Sequence, residues 1–360
     1  MRIIQMLPTM VFGDAVSNDA AAIRRMITEM GYETEIYAEN MDARLPAGVV
    51  TPVDRMIPPE DGDLLIYHGS TGDPMNRMVP TLKGKKLLRY HNITPPQYFR
   101  GYNPENEKRT ENGYREMRAL RYSFDRVAAV SDYNRRDLQR MGYKCPMDVC
   151  PIVIPFSDYD REPDRAVMEK YRGDGWTNLL FVGRIVTNKK QENVIRAFEY
   201  YHRQYNPKSR LFLVGSAGGM EKYLAELQAE VRARGLCGRV IFPGQISFAA
   251  ILAYYRLADV FLCMSEHEGF CVPLVEAMYF DTPIVAMRAA AIPDTIGRAG
   301  VLLENSDPAK AAAAIDRVVR DRELQERIAG GRKEQLKQYR YEAVSEKMKE
   351  CIRKTLDQAI

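Results

Sequence analysis

The chain has 360 residues, of which 46% are hydrophobic and 28% are charged. This balance is typical of a globular protein and excludes a largely disordered chain, and the length favours two domains of about 150 to 200 residues over one. The 52 basic and 48 acidic residues leave a net charge of +4, which is too small to predict binding of nucleic acid.

The N-terminal stretch MRIIQMLPTM is apolar but is interrupted by Pro8 and lacks a cleavage pattern, so it is predicted to be a first β-strand rather than a signal peptide. No run approaches the roughly 18 apolar residues of a spanning helix. The six cysteines are scattered, without a CxxC pair. We therefore expect a cytoplasmic protein with reduced, buried thiols and no metal site.

Short aliphatic runs alternate with helical patterns along most of the chain. Near-continuous apolar strands separated by helices predict parallel sheets that are covered on both faces. The strands predicted for a first sheet are RIIQML, DLLIYH, KLLRYH and RVAAVS, and those predicted for a second are TNLLFVG, RLFLVG, RVIFPG, DVFLCMS and TPIVAM. The pattern predicts two doubly wound α/β domains.

The domain boundaries follow from where this alternation breaks. Residues 1–155 are predicted to form the first domain, and the Pro- and Asp-rich stretch that follows predicts a linker over 156–172. The second domain is predicted over 173–338. Residues 339–360 are predicted to form a helix that packs back, with the first domain as the expected partner. In such folds ligands bind at the carboxyl ends of the strands, where chemistry is therefore expected.

The stretch SEHEGFCVPLVEAM, residues 265–278, combines a loop carboxylate with one at a helix start. Pro273 suits the first helical position and Glu276 is predicted in the first turn, beside backbone N–H groups that attract anions. Glu268 and Glu276 can accept hydrogen bonds from sugar hydroxyls on either side of a phosphate. The stretch fits a nucleotide sugar. Alternatively, Glu276 complements the helix dipole and Glu268 is solvated.

Two cations follow the first strand of the second domain, in LLFVGRIVTNKK. Arg184 comes directly after the strand, and Lys189 lies five residues later. Permanent cations at a strand end suit a diphosphate. A solvated basic loop is the alternative interpretation, and spacing alone does not separate Lys189 from Lys190.

His68 and His91 each stand at the end of a predicted strand. A neutral imidazole there can bind a sugar hydroxyl or take a proton. A structural role is favoured for His68. A functional role is favoured for His91, which Asn92 follows.

The first loop offers Gly13 before a helix that Asp14 or Ser17 can cap. Neither this loop nor GSAGG at 215–219, which is predicted to be a flexible turn, fits G-x-G-x-x-G. An NAD-dependent oxidoreductase is therefore disfavoured.

Together these stretches resemble the retaining glycosyltransferases of family 4. That resemblance implies the GT-B fold, in which two Rossmann-like doubly wound domains face each other across a cleft. EGFCVPLVEAM matches the E-x7-E motif of the family, and VGRIVTNKK matches its Gly-Arg and Lys element. The ordered matches cover nearly all of 177–330, whereas the first half matches loosely. Where relatives often carry paired glycines, this chain has Phe12, Gly13 and Asp14.

The resemblance also implies residue roles. Arg184 and Lys189 would hold the diphosphate, and Glu276 would hold the ribose. Glu268 would contact the donor sugar, with His91 near the transferred sugar. Backbone amides of the E-x7-E loop would help on phosphate, and Gly13 would approach it from the other domain. The residues expected in catalysis are His91, Arg184, Lys189 and Glu268. Those expected to bind the donor are Gly13, Arg184, Lys189, Glu268, Gly269, Phe270, Cys271 and Glu276.

The implied reaction is retaining transfer of a hexose from a nucleoside diphosphate sugar to a hydroxyl of a glycan or lipid-linked acceptor, in cell-surface polysaccharide or glycoconjugate synthesis. Neither a cofactor nor a metal is expected. A glycosidase, a sugar-nucleotide epimerase and a non-catalytic nucleotide-sugar-binding protein are the alternatives.

Residues 83–126 hold eleven Lys or Arg against five Asp or Glu. Such a stretch is predicted either to contact anionic lipid on the inner face of the membrane or to form a solvated helix face with mixed ion pairs.

Overall fold

The computed structural model describes residues 1–11 and 13–357. Phe12 of the first loop and residues 358–360 of the predicted last segment lie outside the described residues. The chain forms two compact units. The first unit comprises Met1–Gln97, Glu105–Ile154 and Gln338–Ile360, and the second comprises Tyr98–Pro104 and Pro155–Lys337.

The first unit is built on a seven-stranded, all-parallel sheet in the order β3-β2-β1-β4-β5-β6-β7. Its strands are β1 (Ile3–Met10), β2 (Ile36–Met41), β3 (Thr51–Pro52), β4 (Leu64–Gly69), β5 (Lys85–Tyr90), β6 (Arg126–Ala129) and β7 (Met147–Val149). The helices between them are α1 (Ala15–Glu29), α2 (Met75–Met78), α3 (Pro104–Ala119) and α4 (Asp132–Arg140). The strand order reverses between β1 and β4, as in Rossmann-like folds.

The second unit contains a six-stranded, all-parallel sheet in the order β10-β9-β8-β11-β12-β13. Its strands are β8 (Thr177–Val182), β9 (Ser209–Val214), β10 (Val240–Gly244), β11 (Val260–Cys263), β12 (Ile284–Met287) and β13 (Gly300–Leu303). Its helices are α5 (Arg165–Tyr171), α6 (Gln191–Gln204), α7 (Glu221–Ala233), α8 (Phe248–Leu257), α9 (Val272–Tyr279), α10 (Ile292–Ile296), α11 (Pro308–Arg320) and α12 (Arg322–Lys337).

The last helix, α13 (Tyr341–Asp357), completes the first unit. It buries an apolar stripe against the face of the sheet that carries Ile3 and Ile66. On its outer side, Lys349 Nζ lies 2.6 Å from Glu29 Oε2. The apolar stripe supplies most of the attachment, because exposed ion pairs contribute little.

Residues 156–172, predicted to be a linker, are packed into the second unit instead. They form a 3₁₀ turn at Phe156–Asp160 and then helix α5. Tyr159 of the turn is buried, and the N–H of Asp164 donates to the Ala249 carbonyl at 2.8 Å.

The second unit also includes Tyr98–Pro104, which the sequence did not predict. Within that unit, the Tyr102 hydroxyl donates to Glu226 at 2.7 Å, and Asn103 Nδ2 donates to the Gly219 carbonyl at 2.8 Å. Polar contacts therefore attach this short segment to the region around α7.

Two doubly wound, all-parallel units confirm the predicted fold class. Every predicted strand is present, because each is a near-continuous apolar run, and all of them except the edge strand β10 are largely buried. The strands that were missed lie toward the edges of the two sheets, where exposed or polar residues weaken the pattern: β2, β3, β7 and β13.

None of the helices in the described part of the chain has the length and apolarity needed to cross a membrane. All six cysteines carry free thiols. The prediction that the thiols are buried is wrong for Cys237, which is exposed, and Cys145 is half-buried.

Candidate functional site

Two loops at one sheet edge of the second unit are bonded to each other. One follows β8 and the other follows β11, and these strands are neighbours in the parallel sheet. Asn188 joins the loops twice: its carbonyl accepts from the N–H of Glu266, and its Nδ2 donates to the carbonyl of His267, both at 2.9 Å. Because the carboxyl ends of both strands meet here, the basic and acidic motifs are held together.

Lys189 and Glu268 form the ion pair at the centre of this edge. The ammonium Nζ lies 2.5 Å from Oε1 of the carboxylate, and only 17% and 7% of the two side chains are exposed. Burial alone would lower the pKa of Lys189, but the Glu268 carboxylate outweighs it and holds the pKa above its ordinary value. Lys189 is therefore a permanent cation.

Lys190 is directed elsewhere. It occupies the left-handed region at φ 52°, and its ammonium lies 3.6 Å from Glu192 and 3.5 Å from Glu266. The structure thus distinguishes the two adjacent lysines, which sequence spacing did not.

Arg184 begins the loop after β8. Its carbonyl accepts a hydrogen bond from Gln191 Nε2 at 2.9 Å, whereas its exposed guanidinium has no hydrogen-bond or ion-pair partner among the described residues. An uncommitted guanidinium five residues before Lys189 and at the same sheet edge suits recognition of an oxyanion.

Gly215 fixes the backbone beside Arg184. A Cβ at this position would lie 1.9 Å from the carbonyl oxygen of Gly183, so the ends of β9 and β8 approach too closely for any side chain. Gly215 is therefore a packing requirement of the strand ends, whereas the sequence predicted only a flexible turn for GSAGG.

The loop after β11 leads into helix α9 with backbone donors available. Cys271, at φ 71°, precedes the helix. The N–H groups of Cys271 and Val272 make no hydrogen bond within the described part of the chain. Such N–H groups at a helix start attract anions. Phe270 is buried and anchored, since its carbonyl accepts from Thr295 Oγ1 at 2.6 Å. Gly269 lies between Glu268 and Phe270 in this loop.

Helix α9 starts at Val272, so Pro273 is the second helical residue and Glu276 the fifth. The prediction of Pro273 in the first position and Glu276 in the first turn is therefore wrong by about one position. The helix starts one residue earlier than predicted, directly after Cys271 in its left-handed conformation.

Glu276 is held by two tyrosines that the sequence did not indicate. The Tyr159 hydroxyl donates to Oε1 at 3.0 Å, and the Tyr255 hydroxyl donates to Oε2 at 2.7 Å. Burial raises the pKa of Glu276, and the two hydrogen bonds oppose that shift. Each carboxylate oxygen keeps capacity for a further hydrogen bond, so a ligand hydroxyl can bind to the oriented carboxylate.

Two groups of side chains have the geometry to ligate a metal among the described residues. One is Cys263, Glu268 and Cys271, and the other is Asp19, His68 and His91. In each group a permanent cation already pairs with the carboxylate: Lys189 with Glu268, and Arg89 with Asp19. A divalent cation would compete with these ion pairs. The expected absence of a metal stays a prediction.

The remaining predicted site residues lie in the first unit. Gly13 is in the exposed loop after β1 at φ 79°, a conformation that favours glycine. Asp14 caps α1 by accepting from the N–H groups of Val16 and Ser17.

His91 directly follows β5, and its Nε2 lies 2.9 Å from Nδ1 of His68. Burial lowers the pKa of His68 to about 4 and that of His91 well below its usual value, so both imidazoles are neutral near pH 7.

Comparison with known proteins identifies the family. Residues 169–335 match the model of the glycosyl transferases group 1. This range contains every site residue of the second unit described above except Tyr159. This match and the curated relatives described below support a group 1 glycosyl transferase.

Curated relatives of this group 1 glycosyl transferase include the O-antigen chain mannosyltransferase B of Escherichia coli. It is 25% identical over 287 residues, which cover 77% of this chain and 71% of the relative. The D-inositol 3-phosphate glycosyltransferase of Corynebacterium jeikeium is 31% identical over 222 residues, which cover 58% of this chain and 51% of the relative. The second match thus spans about half the length of that relative.

Among solved structures, the Anabaena protein HepE in complex with UDP-glucose is similar over 98% of this chain and 100% of its own, with a TM-score of 0.76 and 16% identity. At that identity the likeness shows the fold alone. The fold of this glycosyl transferase is GT-B, as the sequence predicted.

Proposed function

We propose that this glycosyl transferase moves a hexose from a nucleoside diphosphate sugar to a hydroxyl of a glycan or lipid-linked acceptor. The observation that carries the proposal is the buried Lys189–Glu268 pair, which lies in the same loop pair as the unbonded N–H groups of Cys271 and Val272. Cations and helix-start amides are the groups that bind a diphosphate, and Arg184 supplies a second cation.

The carboxylates then bind the parts of the donor that carry hydroxyls. Glu276, oriented by Tyr159 and Tyr255, accepts from the ribose hydroxyls. Glu268 keeps unused lone pairs for a hydroxyl of the donor sugar while Oε1 accepts from Lys189. The amides at Gly269, Phe270 and Cys271 assist on phosphate.

In the proposed reaction the oxygen of the acceptor hydroxyl forms a bond to the anomeric carbon, while the bond from that carbon to the diphosphate oxygen breaks and the hydroxyl proton passes to an oxygen of the departing diphosphate. The nucleoside diphosphate leaves with the electron pair. Lys189 and Arg184 stabilise the negative charge that develops on it, and they do so in a site that is already organised before the reaction. These cations are proposed to act without a metal or a cofactor.

Retention of the anomeric configuration is proposed from the match of Glu268 and Glu276 to the E-x7-E motif of family 4. A hexose as the transferred group is supported by two of the comparisons. The E. coli relative is named as a mannosyltransferase, and the similar Anabaena protein was solved with UDP-glucose.

A glycosidase would need two carboxyl groups that act as acid and as base or nucleophile. Here Glu268 is bound to a permanent cation and Glu276 to two tyrosine hydroxyls. Both oxygens of Glu276 already accept from tyrosine hydroxyls, and a glycosidase would leave the cations Arg184 and Lys189 without a role, so the transferase is preferred.

The test is incubation of the protein with UDP-glucose, GDP-mannose and ADP-glucose, each with mannose and glucose as simple acceptors, followed by NMR. We expect one donor to be consumed faster than in buffer, and the first sugar product to keep the α configuration of the donor. An initial β product would contradict retention. Binding of a donor without consumption would favour the non-catalytic nucleotide-sugar-binding protein.

Contact with a membrane and a role in polysaccharide synthesis stay predictions. In the stretch 83–126, helix α3 carries exposed Lys108, Arg115 and Arg118. Arg115 donates to Asn112 at 2.9 Å, so at least one of these cations has a local partner.

A further inference from the structure

Three buried polar side chains form a hydrogen-bonded row in the first unit. Gln5 lies on β1, His68 on β4 and His91 at the end of β5. Gln5 Oε1 is 2.9 Å from His68 Nε2, and His68 Nδ1 is 2.9 Å from His91 Nε2. Gln5 and His68 are fully buried, and His91 is 9% exposed. The row thus crosses the central strands and ends at their carboxyl edge.

The positions of the protons along this row follow from its first member. Gln5 Nε2 donates to the carbonyl of Ala20 at 3.1 Å, so the oxygen of the amide faces His68. His68 Nε2 must donate to that oxygen, which leaves its Nδ1 as an acceptor because the ring is neutral. His91 Nε2 must then donate to His68, and the lone pair of His91 falls on Nδ1.

Asp19 favours the same arrangement. Its Oδ2 lies 3.8 Å from His91 Nε2, beyond hydrogen-bond distance but close enough for its negative charge to stabilise an N–H there. Its hydrogen-bond partners are Arg89 and the N–H of Val153. The ionic pair therefore supports the tautomer without taking part in the row.

The outer end of the row is unfinished. His91 Nδ1 is buried and has no hydrogen-bond partner among the described residues. A buried acceptor without a donor is unfavourable, and such groups in native proteins usually await a water or a ligand. This one lies directly after β5, at the sheet edge where Rossmann-like units bind ligands.

We infer that Gln5 and His68 are positioning residues that fix the proton of His91 on Nε2, so that Nδ1 accepts a hydrogen bond from a hydroxyl of a sugar substrate. The inference rests on the proposed function for the identity of the substrate. It makes His91 an acceptor that recognises O–H groups, rather than a proton donor in the reaction. The low pKa that burial gives His91 is consistent with this role.

The first test is ¹⁵N NMR of the histidine rings, which is practical because the chain has only 4 histidines. His91→Gln assigns the resonances of His91. In the free protein near neutral pH we expect Nε2 of His91 to be protonated and Nδ1 to be unprotonated. A proton on Nδ1 or a doubly protonated ring would overturn the inference, whether or not any sugar nucleotide binds.

Ligand addition then identifies the source of the hydroxyl. UDP-glucose or GDP-mannose, whichever binds, is expected to shift Nδ1 toward the protonated value, whereas UDP or GDP alone is not. A shift that appears only with free glucose or mannose would assign the hydroxyl to the acceptor. If the Nδ1 resonance of His91 shifts neither with a bound sugar nucleotide nor with free sugars, the proposed hydrogen bond from a sugar hydroxyl to Nδ1 is overturned. If no sugar nucleotide binds, the proposed function fails while the tautomer result stands.

Two variants test the positioning role. Gln5→Met removes the amide and nearly keeps the volume, and His68→Leu removes the acceptor for His91. We expect both variants to populate the other tautomer of His91. We also expect the ratio of the affinity for the sugar nucleotide to the affinity for the nucleoside diphosphate to fall by about 10-fold. His68→Asn restores an acceptor oxygen near the position of Nδ1 and is expected to recover the ratio. If Gln5→Met and His68→Leu leave both the tautomer of His91 and this affinity ratio unchanged, Gln5 and His68 do not position the proton of His91.

Discussion

Lys189→Ala is expected to lower the turnover of the donor sugar by about 10²- to 10³-fold. The substitution removes a permanent cation that we place on the leaving diphosphate, where negative charge grows in the transition state. It also leaves the Glu268 carboxylate, only 7% exposed, without its counter-ion. Both effects act on the chemical step and on donor binding, so kcat/KM should fall more than kcat. The measurement is donor consumption followed by NMR.

Lys190→Ala is the matched control for this variant. Lys190 is the next residue, but its ammonium lies near Glu192 and Glu266 rather than Glu268. We expect Lys190→Ala to change turnover by less than about threefold, as surface ion pairs contribute little. Equal losses in the two variants, or wild-type turnover in Lys189→Ala, would contradict the assigned role. Hydrogen exchange of peptides from β8 and β11 shows whether either variant is unfolded.

Asp19→Ala is expected to destabilise the first unit by about 3 to 5 kcal/mol. Asp19 on α1 and Arg89 on β5 are both almost fully buried, with Nε of the guanidinium 2.8 Å from Oδ2 of the carboxylate. Removing the carboxylate leaves a buried guanidinium whose only acceptors among the described residues are the backbone carbonyls of Cys150 and Pro151. A buried charge without a counter-ion is strongly unfavourable.

The measurement is hydrogen exchange detected by mass spectrometry, because it follows the two units separately. Tryptophan fluorescence would not do so, since the single tryptophan, Trp176, lies in the second unit. Peptides from β1 and β5 should lose protection in Asp19→Ala. Glu29→Ala is the control, because the Glu29 side chain is 42% exposed and the expected loss is below about 1 kcal/mol. Unchanged protection in Asp19→Ala would show that the ion pair does not stabilise the unit.

The same pair predicts a dependence on pH. Burial would raise the pKa of Asp19, but the charge of Arg89 outweighs it and holds the pKa below the ordinary value of 3.8. The folded state therefore binds the Asp19 proton less tightly than the unfolded state does. As a result, the ionised Asp19 stabilises the folded state fully at pH values above the unfolded pKa. This stabilisation is lost as the pH falls through the folded pKa.

The second unit shows what local sequence can predict. Short-range patterns predicted the order of the apolar strands, the cations after β8 and the carboxylates after β11. These patterns were sufficient to place Arg184, Lys189 and Glu268 at one sheet edge. The tyrosines that hold Glu276 could not be predicted in this way. Tyr159 is 117 residues from Glu276 and lay in a predicted linker, and nothing in its local sequence indicates that it packs there.

The first unit shows the limit more clearly. His91 was predicted from its place at a strand end, but the residues that determine its proton arrangement are distant in sequence. Arg89 and Asp19 are 70 residues apart, and His68 and Gln5 are 63 apart. Such pairs depend on which strands become neighbours, and strand order is a property of the whole sheet. A Gln on a first strand carries no signal of that role.

The most direct test of the central claim is calorimetric titration of the wild-type protein and Glu276→Gln with UDP-glucose, GDP-mannose and ADP-glucose. The claim is that the loops after β8 and β11 bind a nucleoside diphosphate sugar. It predicts that at least one donor binds the wild type and binds Glu276→Gln about 10-fold more weakly, because a neutral amide is a poorer acceptor for the ribose hydroxyls. Absence of binding by all three donors, or equal affinity in the variant, would contradict it.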